Sequence, residues 1–386
     1  MHPSASPVLK LPVELILAIL LVLPDISTLQ SIVLAHSWFY LVFRENRDAI
    51  ITHLLTTLVS AELLPQALAV RESSRVQSWT DDKVARVLAR FRDDRRIVRL
   101  LGLSLADALA IESLHRCVCS FVDKFASAAL SVHPFTERPE TPSPLSVSEW
   151  RHVAGAFYRA ELCTNLLRPR DGQESVLGDD SKVAFPYSGV PGVKDVLLRH
   201  FHIWEIEQLG CVGEFVYREL GRRSGGDCGI SWGRSNPEHT DIVVWESQKR
   251  QFFWRGLQFL HSLFASESVT KRCVFLATKF HSSRYYLQNA AWHADSEWDN
   301  SPQNISDDTD HRVEVVFGAR LNEDSDTGPA EAFAWVSDLL RRTDVVCSLT
   351  PLSFRERGYV MWDYARLSAW GFFKDLWRSS AQEDLE

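Results

Sequence analysis

One pattern in this chain of 386 residues could hold a catalytic nucleophile. Gly229, Ser231 and Gly233 form the G-x-S-x-G sequence of a serine nucleophile elbow. That chemistry needs a strand before the serine and a helix after it, because the strained turn between them exposes the hydroxyl. The flanking residues 222–226 and 234–237 are rich in Gly, Arg, Ser and Pro, which predict neither element. We therefore interpret the pattern as a glycine-rich surface loop.

The spacing of cysteines and histidines does not predict a metal site. His115, Cys117 and Cys119 alternate along the chain, as do His200 and His202. Residues two apart on a helix point about 200° away from each other, so these side chains would not share a metal ion. The chain has neither the eight paired ligands of a RING domain nor a glycine-rich phosphate-binding motif. We expect no metal, no cofactor and no catalytic residue.

Composition narrows the class of protein. The chain has 42 basic and 50 acidic residues and a net charge of −8, which argues against nucleic-acid binding. Its hydrophobic fraction of 45% is typical of a folded globular protein. Seven dispersed cysteines indicate free thiols in a reducing compartment, so we predict a cytoplasmic or nuclear protein. The apolar run of residues 15–23 is less than half of a membrane span, so we predict no membrane association.

The most regular helical pattern lies in the first 60 residues. Pro12 suits the start of a helix, and Pro24 ends it. Ser27 and Gln30 match a capping box, which predicts a second helix. A third helix around Trp38 and a fourth over roughly 47–58 follow. The helical stripe of the first helix consists of Leu15, Ile16, Ile19, Leu20 and Leu23.

The rest of the chain predicts further helices and a division into parts. Residues 1–60 form a first module, 61–132 a helical connector, 133–148 a proline-rich linker, and 149–386 a larger helical domain. The sequence therefore predicts a mainly α fold. Alternating apolar residues in 311–317 could form a strand, which 241–245 could pair with as a minor β pair.

Three local patterns within these parts yield specific predictions. Apolar residues at positions 84, 87, 88 and 91 predict an amphipathic connector helix, whose arginines between 86 and 99 we interpret as a solvated face. Ser146 and Glu149 match a capping box that opens a helix. Near the end, Tyr364 is predicted to share a core-facing helical face with Val360 and Leu367. Trp362 and Trp370 could instead anchor a partner.

The N-terminal segment from Leu11-Pro12 to Pro24 resembles the opening of an F-box. The similarity continues without a gap through Leu29, Val33 and Leu34 to an aromatic residue, Trp38. Ser27, Thr28 and Ser31 stand where the family commonly has acidic or leucine residues. More loosely, residues 39–48 and 355–367 look like fungal F-box-like proteins with an uncharacterised helical C-terminal region.

The resemblance implies a three-helix module that docks on a Skp-family adaptor and, through it, on a cullin. The chain would then be the non-catalytic substrate-recognition subunit of a Skp–cullin–F-box ubiquitin ligase, with its C-terminal region holding a protein target. A protein-interaction scaffold that acts outside any ligase is the alternative. The adaptor-binding residues that the resemblance implies are Leu11, Pro12, Leu15, Ile16, Ile19, Leu20, Leu23, Leu29, Val33 and Trp38.

Overall fold

The chain is mainly α-helical, as predicted. A computed structural model describes residues 11–76, 80–91, 102–134, 138–139, 143–167, 201–224, 255–266, 326–342 and 352–374. Within these ranges there are twelve helices and no strand, and a single antiparallel bridge joins Val132 to Pro139. The predicted β pair and the G-x-S-x-G sequence lie outside the described residues.

The helices fall into two compact units, Met1–Ser78 with Asp82–Val118, and Trp79–Asp81 with Cys119–Glu386. The predicted division at residue 60 stays a prediction. The helices of the first part of the chain are α1 (Val13–Leu21), α2 (Ile26–Ala35), α3 (Ser37–Val59), α4 (Leu64–Arg75), α5 (Asp81–Phe91) and α6 (Leu105–Ala129). The later helices are α7 (Val147–Leu167), α8 (Ile203–Ser224), α9 (Leu257–Ala265), α10 (Gly328–Arg342), α11 (Leu352–Glu356) and α12 (Tyr364–Trp370).

In the first unit, α1 and α2 both pack against α3. The two helices that the sequence predicts around Trp38 and over roughly 47–58 are the two segments of α3, which meet at a kink where Asn46 has non-helical dihedral angles. The Asn46 side chain donates a hydrogen bond to the Val42 carbonyl at 3.0 Å, which keeps the two halves joined across the kink. The predicted amphipathic pattern of α5 is confirmed, because Val84, Val87, Leu88 and Phe91 are all buried.

The predicted capping box of α2 is wrong. The helix begins two residues after Pro24, and Asp25 is its N-cap, with Oδ1 accepting from the Thr28 amide at 2.6 Å. Ser27 lies in the first turn, and its amide and hydroxyl both donate to Glu112 on α6, at 3.0 and 2.8 Å. A carboxylate 85 residues away therefore satisfies the donors that the local pattern assigned to a capping box.

The core of the second unit is rich in aromatic side chains. Phe157 on α7 stacks on Phe121 with ring centroids 5.3 Å apart and meets Phe125 edge-on at 6.3 Å. Phe125 also contacts Phe215 on α8 at 5.4 Å and Trp362 at 6.1 Å. These rings are buried, and such pairs add to the stability gained from apolar burial.

A buried ion pair ties α12 to the start of α7. The predicted capping box is confirmed there: the Ser146 amide donates to Glu149 at 2.9 Å, and the Glu149 amide donates to Ser146 Oγ at 3.1 Å. The same Glu149 carboxylate accepts two bonds from the Arg366 guanidinium, at 2.6 and 2.7 Å. Glu149 is fully buried, so its charge depends on Arg366 for compensation.

Tyr364 does not lie in the core, contrary to the prediction. Its residue surface is 46% exposed, although its ring stacks on Phe373 at 5.4 Å. The prediction assumed one continuous helix through Val360, whereas α12 begins at Tyr364 with Asp363 as its N-cap. The residue that fills the core is Trp362, which is fully buried.

Candidate docking surface

Helix α1 is apolar on both of its sides, but only one side is buried. Ile16 and Leu20, one turn apart, are fully buried within the first unit. On the other side Leu15, Ala18, Ile19 and Val22 are exposed at helical spacing, Leu15 to 52% and Val22 to 78%. We call these four residues the α1 stripe. A helix that is apolar all round is normally buried on all sides, so the uncovered stripe is a candidate docking surface.

Exposure of large apolar side chains is concentrated in the three N-terminal helices and their caps. Eight such side chains are exposed among the described residues, and only Val147 and Tyr364 lie outside residues 13–40. The six within that range are Val13, Leu15, Ile19, Val22, Leu34 and Tyr40. Single exposed apolar residues are common on proteins, whereas this concentration in one short module makes it a candidate docking surface.

The structure separates the predicted adaptor-binding residues into three groups. Pro12, Leu15 and Ile19 are exposed. Leu11, Leu23 and Trp38 are partly covered, and the Trp38 indole donates to the Leu11 carbonyl at 3.4 Å. The remaining four form part of the core of the module: Ile16, Leu20, Leu29 and Val33. These four side chains are buried, so they act on the exposed surface only indirectly, by fixing how α1 and α2 pack.

Sequence reasoning did not assign Val13, Val22, Leu34 or Tyr40 to the surface, although all four are exposed. For α1 a signal was available, because Leu15, Ile19 and Val22 follow the i, i+4, i+7 spacing of one helical face. No polar residue marks the outer side of α1 after Glu14, so the pattern alone does not say which apolar face is buried.

The orientation of α2 is held by charged groups of α6. Glu112, almost fully buried, accepts from Ser27 and from Arg116 Nη2, the latter at 2.6 Å. Arg116 also donates to Asp25 at 3.2 Å. Hydrogen bonds from Thr28, together with the nearby charge of Arg116, lower the pKa of Asp25 below its ordinary value, so the cap stays ionised at neutral pH.

A hollow of about 520 Å³ in the first unit is lined by residues of both charges. Arg71 Nε lies 3.0 Å from Asp107, Arg75 also pairs with Asp107, and Arg90 lies 2.7 Å from Glu72. Burial raises the pKa of Asp107, but hydrogen bonds from Ser104 and Arg71 outweigh it and the pKa is lowered. Acidic side chains of the same unit thus partner these three arginines.

The described cysteines are buried or partly buried. Cys117, Cys119, Cys163 and Cys211 form no disulfide in this part of the chain. Burial raises the pKa of the Cys163 thiol to about 12 and also raises those of Cys119 and Cys211. Because the thiolate is the reactive form, these three side chains are poor nucleophiles at neutral pH.

In the ranges that the structure describes, no group of three or more His, Cys, Asp or Glu side chains could hold a metal ion. No single described helix is long and apolar enough to cross a membrane; α3 and α4, bent by 111°, pass that test only when taken together. No family model, curated protein or solved structure matches the chain.

Proposed function

We propose that this protein is a non-catalytic substrate-recognition subunit of a Skp–cullin–F-box ubiquitin ligase. Its N-terminal helices dock on a Skp-family adaptor and, through it, on a cullin, while residues 149–386 hold a protein target. The observation that carries the proposal is the α1 stripe, exposed on a helix whose opposite side, with Ile16 and Leu20, is fully buried. We expect the protein in the cytoplasm or nucleus, where these partners act.

The apolar character of the stripe favours a protein as its partner. Leu15, Ala18, Ile19 and Val22 have no side-chain hydrogen-bonding group, so they favour a partner with an apolar groove or helix face. Specificity would come from shape and from the polar residues around the stripe, such as Glu14. A helix laid into such a groove is a common mode of protein recognition.

The mechanism we propose is proximity. Binding of a target to one part of the chain and of the adaptor to another places the target near the ubiquitin-conjugating enzyme. The high effective concentration of a target lysine then accelerates transfer, and no catalytic residue of this chain is required.

The experiment measures the affinity of the full chain for a purified Skp-family adaptor. We expect the double substitution Leu15→Gln with Ile19→Gln to weaken binding about 30-fold or more, because loss of a buried interface anchor typically costs about 2–4 kcal/mol. Both residues are exposed, so the melting temperature should stay close to that of the wild type. Val147→Gln, at an exposed apolar residue of the second unit, is the matched control and should bind normally.

Equal adaptor affinity of the wild type and the double variant would overturn the proposal, as would the absence of binding by the wild type. Purification of the tagged protein from its own cells distinguishes the ligase from a scaffold. A ligase subunit brings down both adaptor and cullin, whereas recovery of the adaptor without the cullin would favour the scaffold.

A further inference from the structure

Ser143 is an exposed serine followed directly by a proline. The segment reads Thr141-Pro142-Ser143-Pro144, and residues 143–146 have neither helical nor strand structure. Protein kinases bind their substrates as extended, accessible chain, and one large class requires proline directly after the phosphorylated residue. Ser143 meets both requirements, and exposed loops of this composition are common sites of modification.

The Ser143 hydroxyl contacts the cation that compensates Glu149. Arg366 Nη1 donates to Ser143 Oγ, and Nη2 donates to the Pro144 carbonyl at 2.8 Å. The remaining donors of the same guanidinium hold both oxygens of Glu149. Arg366 also lies 5.8 Å from the rings of both Trp362 and Trp370. One guanidinium therefore links the exposed serine to a buried carboxylate, to the buried Trp362 and to the partly exposed Trp370.

Two carboxylates besides Glu149 bind backbone amides at the start of α12. Asp363 accepts from the Arg366 amide at 2.9 Å, and its own amide donates to Glu149 at 3.3 Å. Asp326 accepts from the neighbouring Tyr364 amide at 3.2 Å. A phosphate on Ser143 would add about −1.5 to −2 charges next to the guanidinium that compensates the buried Glu149.

We propose that Ser143 is a phosphorylation site of a proline-directed protein kinase, and that its phosphate draws Arg366 away from Glu149 and loosens the packing of α12 on α7. In the transfer step, Ser143 Oγ forms a bond to the γ-phosphorus of ATP as the bond to the β–γ bridging oxygen breaks. The hydroxyl proton leaves to a base of the kinase, and ADP is the second product.

The effect of this exchange on stability follows from the different burial of the two anions. The phosphate lies at the surface, where water and the arginine together solvate it. Glu149 has no access to water and retains only hydrogen bonds from the Ser146 and Asp363 amides when Arg366 leaves. A buried carboxylate without its cation destabilises the fold that holds it.

The test is phosphorylation of the full chain in vitro by a purified proline-directed kinase, in a Thr141→Ala background that removes the neighbouring acceptor. The chain keeps three other Ser-Pro or Thr-Pro pairs, at Ser6, Ser301 and Thr350. Mass spectrometry should locate a phosphate on Ser143, and Ser143→Ala in the same background should lack that phosphate alone. The protein phosphorylated on Ser143 should melt about 3 °C or more below the Ser143→Ala protein treated with the same kinase. Absence of phosphate at Ser143, or an unchanged or raised melting temperature, would overturn the proposal.

A second variant separates competition for Arg366 from a general effect of added charge. In Glu149→Gln the buried partner is neutral, so loss of Arg366 leaves no buried charge and phosphorylation should shift the melting temperature by less than 1 °C. An undiminished shift would show that the phosphate acts elsewhere. If this variant does not fold, hydrogen exchange of the wild-type protein decides. Phosphorylation should accelerate exchange of the α12 amides, and unchanged protection there would contradict the proposal.

Discussion

His115 is a buried titratable side chain on α6, in the core of the first unit. Burial lowers its pKa below the ordinary value, and a hydrogen bond with the Leu58 backbone offsets part of that shift. The folded protein therefore resists protonation of His115, whereas the unfolded chain takes up a proton near pH 6.5. Stability contributed by the neutral side chain is complete above about pH 6.5 and is lost as the pH falls below it.

We predict that the first unit becomes less stable between pH 7.5 and 5.5, by at most about 1.4 kcal/mol per pH unit below 6.5 from this residue. His115→Gln keeps a hydrogen-bond donor but does not titrate, so its stability should depend less on pH. Urea unfolding of both proteins at several pH values measures the difference. The pKa of His261 is also lowered, but this residue is present in both proteins and its effect cancels. Identical pH dependence would contradict the prediction.

Arg366 and Arg222 form salt bridges in opposite environments. The Arg366 side chain is 13% exposed and pairs with a fully buried carboxylate, whereas Arg222 is 57% exposed and pairs with Glu219 one turn away. Arg366→Ala should therefore cost about 3–5 kcal/mol, because it leaves Glu149 buried without its cation. Arg222→Ala should cost about 0.5 kcal/mol or less. Chemical denaturation of both variants checks the prediction, and equal losses would show that burial of the pair has no effect.

At the scale of a single element, the segment leading into α12 carries Trp362, the largest fully buried side chain among the described residues. Its indole donates to the Arg357 carbonyl at 2.8 Å, and its ring contacts Phe125. We predict that Trp362→Ala costs about 3–5 kcal/mol, since it removes a large core side chain and leaves a cavity. Tyr364→Ala, two residues further on, should cost about 1 kcal/mol or less because that ring is half exposed.

Thermal unfolding of the two variants measures this contrast. A larger loss of stability in Tyr364→Ala than in Trp362→Ala would mean that the orientation of the segment is reversed. If Tyr364→Ala leaves melting unchanged but removes binding of a target, this exposed ring is part of the target-binding surface.

Amphipathic helices could be predicted from the sequence, whereas polar contacts between residues far apart in the chain could not. The spacing of Val84 and Phe91 indicates which side of α5 is buried, because buried residues recur with the period of the helix. The sequence around Ser27 does not indicate that Glu112 binds it. In the same way, the sequence around Glu149 does not indicate that its partner is Arg366, 217 residues further along the chain. The α1 stripe could be predicted only in part. Its helical spacing can be read from the sequence, but which face of α1 is covered depends on the packing of other helices.

At the scale of the molecule, α6 contacts the helices of the first 60 residues. Glu112 binds the first turn of α2, and Ile111 and Val118 are fully buried in the first unit. A domain of about 60 residues is marginally stable even when its core is complete. We predict that a fragment of residues 1–132 unfolds cooperatively on heating, whereas a fragment of residues 1–60 does not. Circular dichroism of the two fragments measures this, and a cooperative transition of equal midpoint in both would contradict it.

The distance along the chain between Ser27 and Glu112 has a consequence during protein synthesis. The two residues are 85 positions apart, so at about 5–20 residues per second the ribosome adds Glu112 about 4–17 s after Ser27. For that interval the nascent α1 and α2 have emerged with their apolar side chains but without the carboxylate that binds the start of α2. Chaperones, or a partner that recognises the α1 stripe, therefore have access to the nascent helices several seconds before the first unit can close.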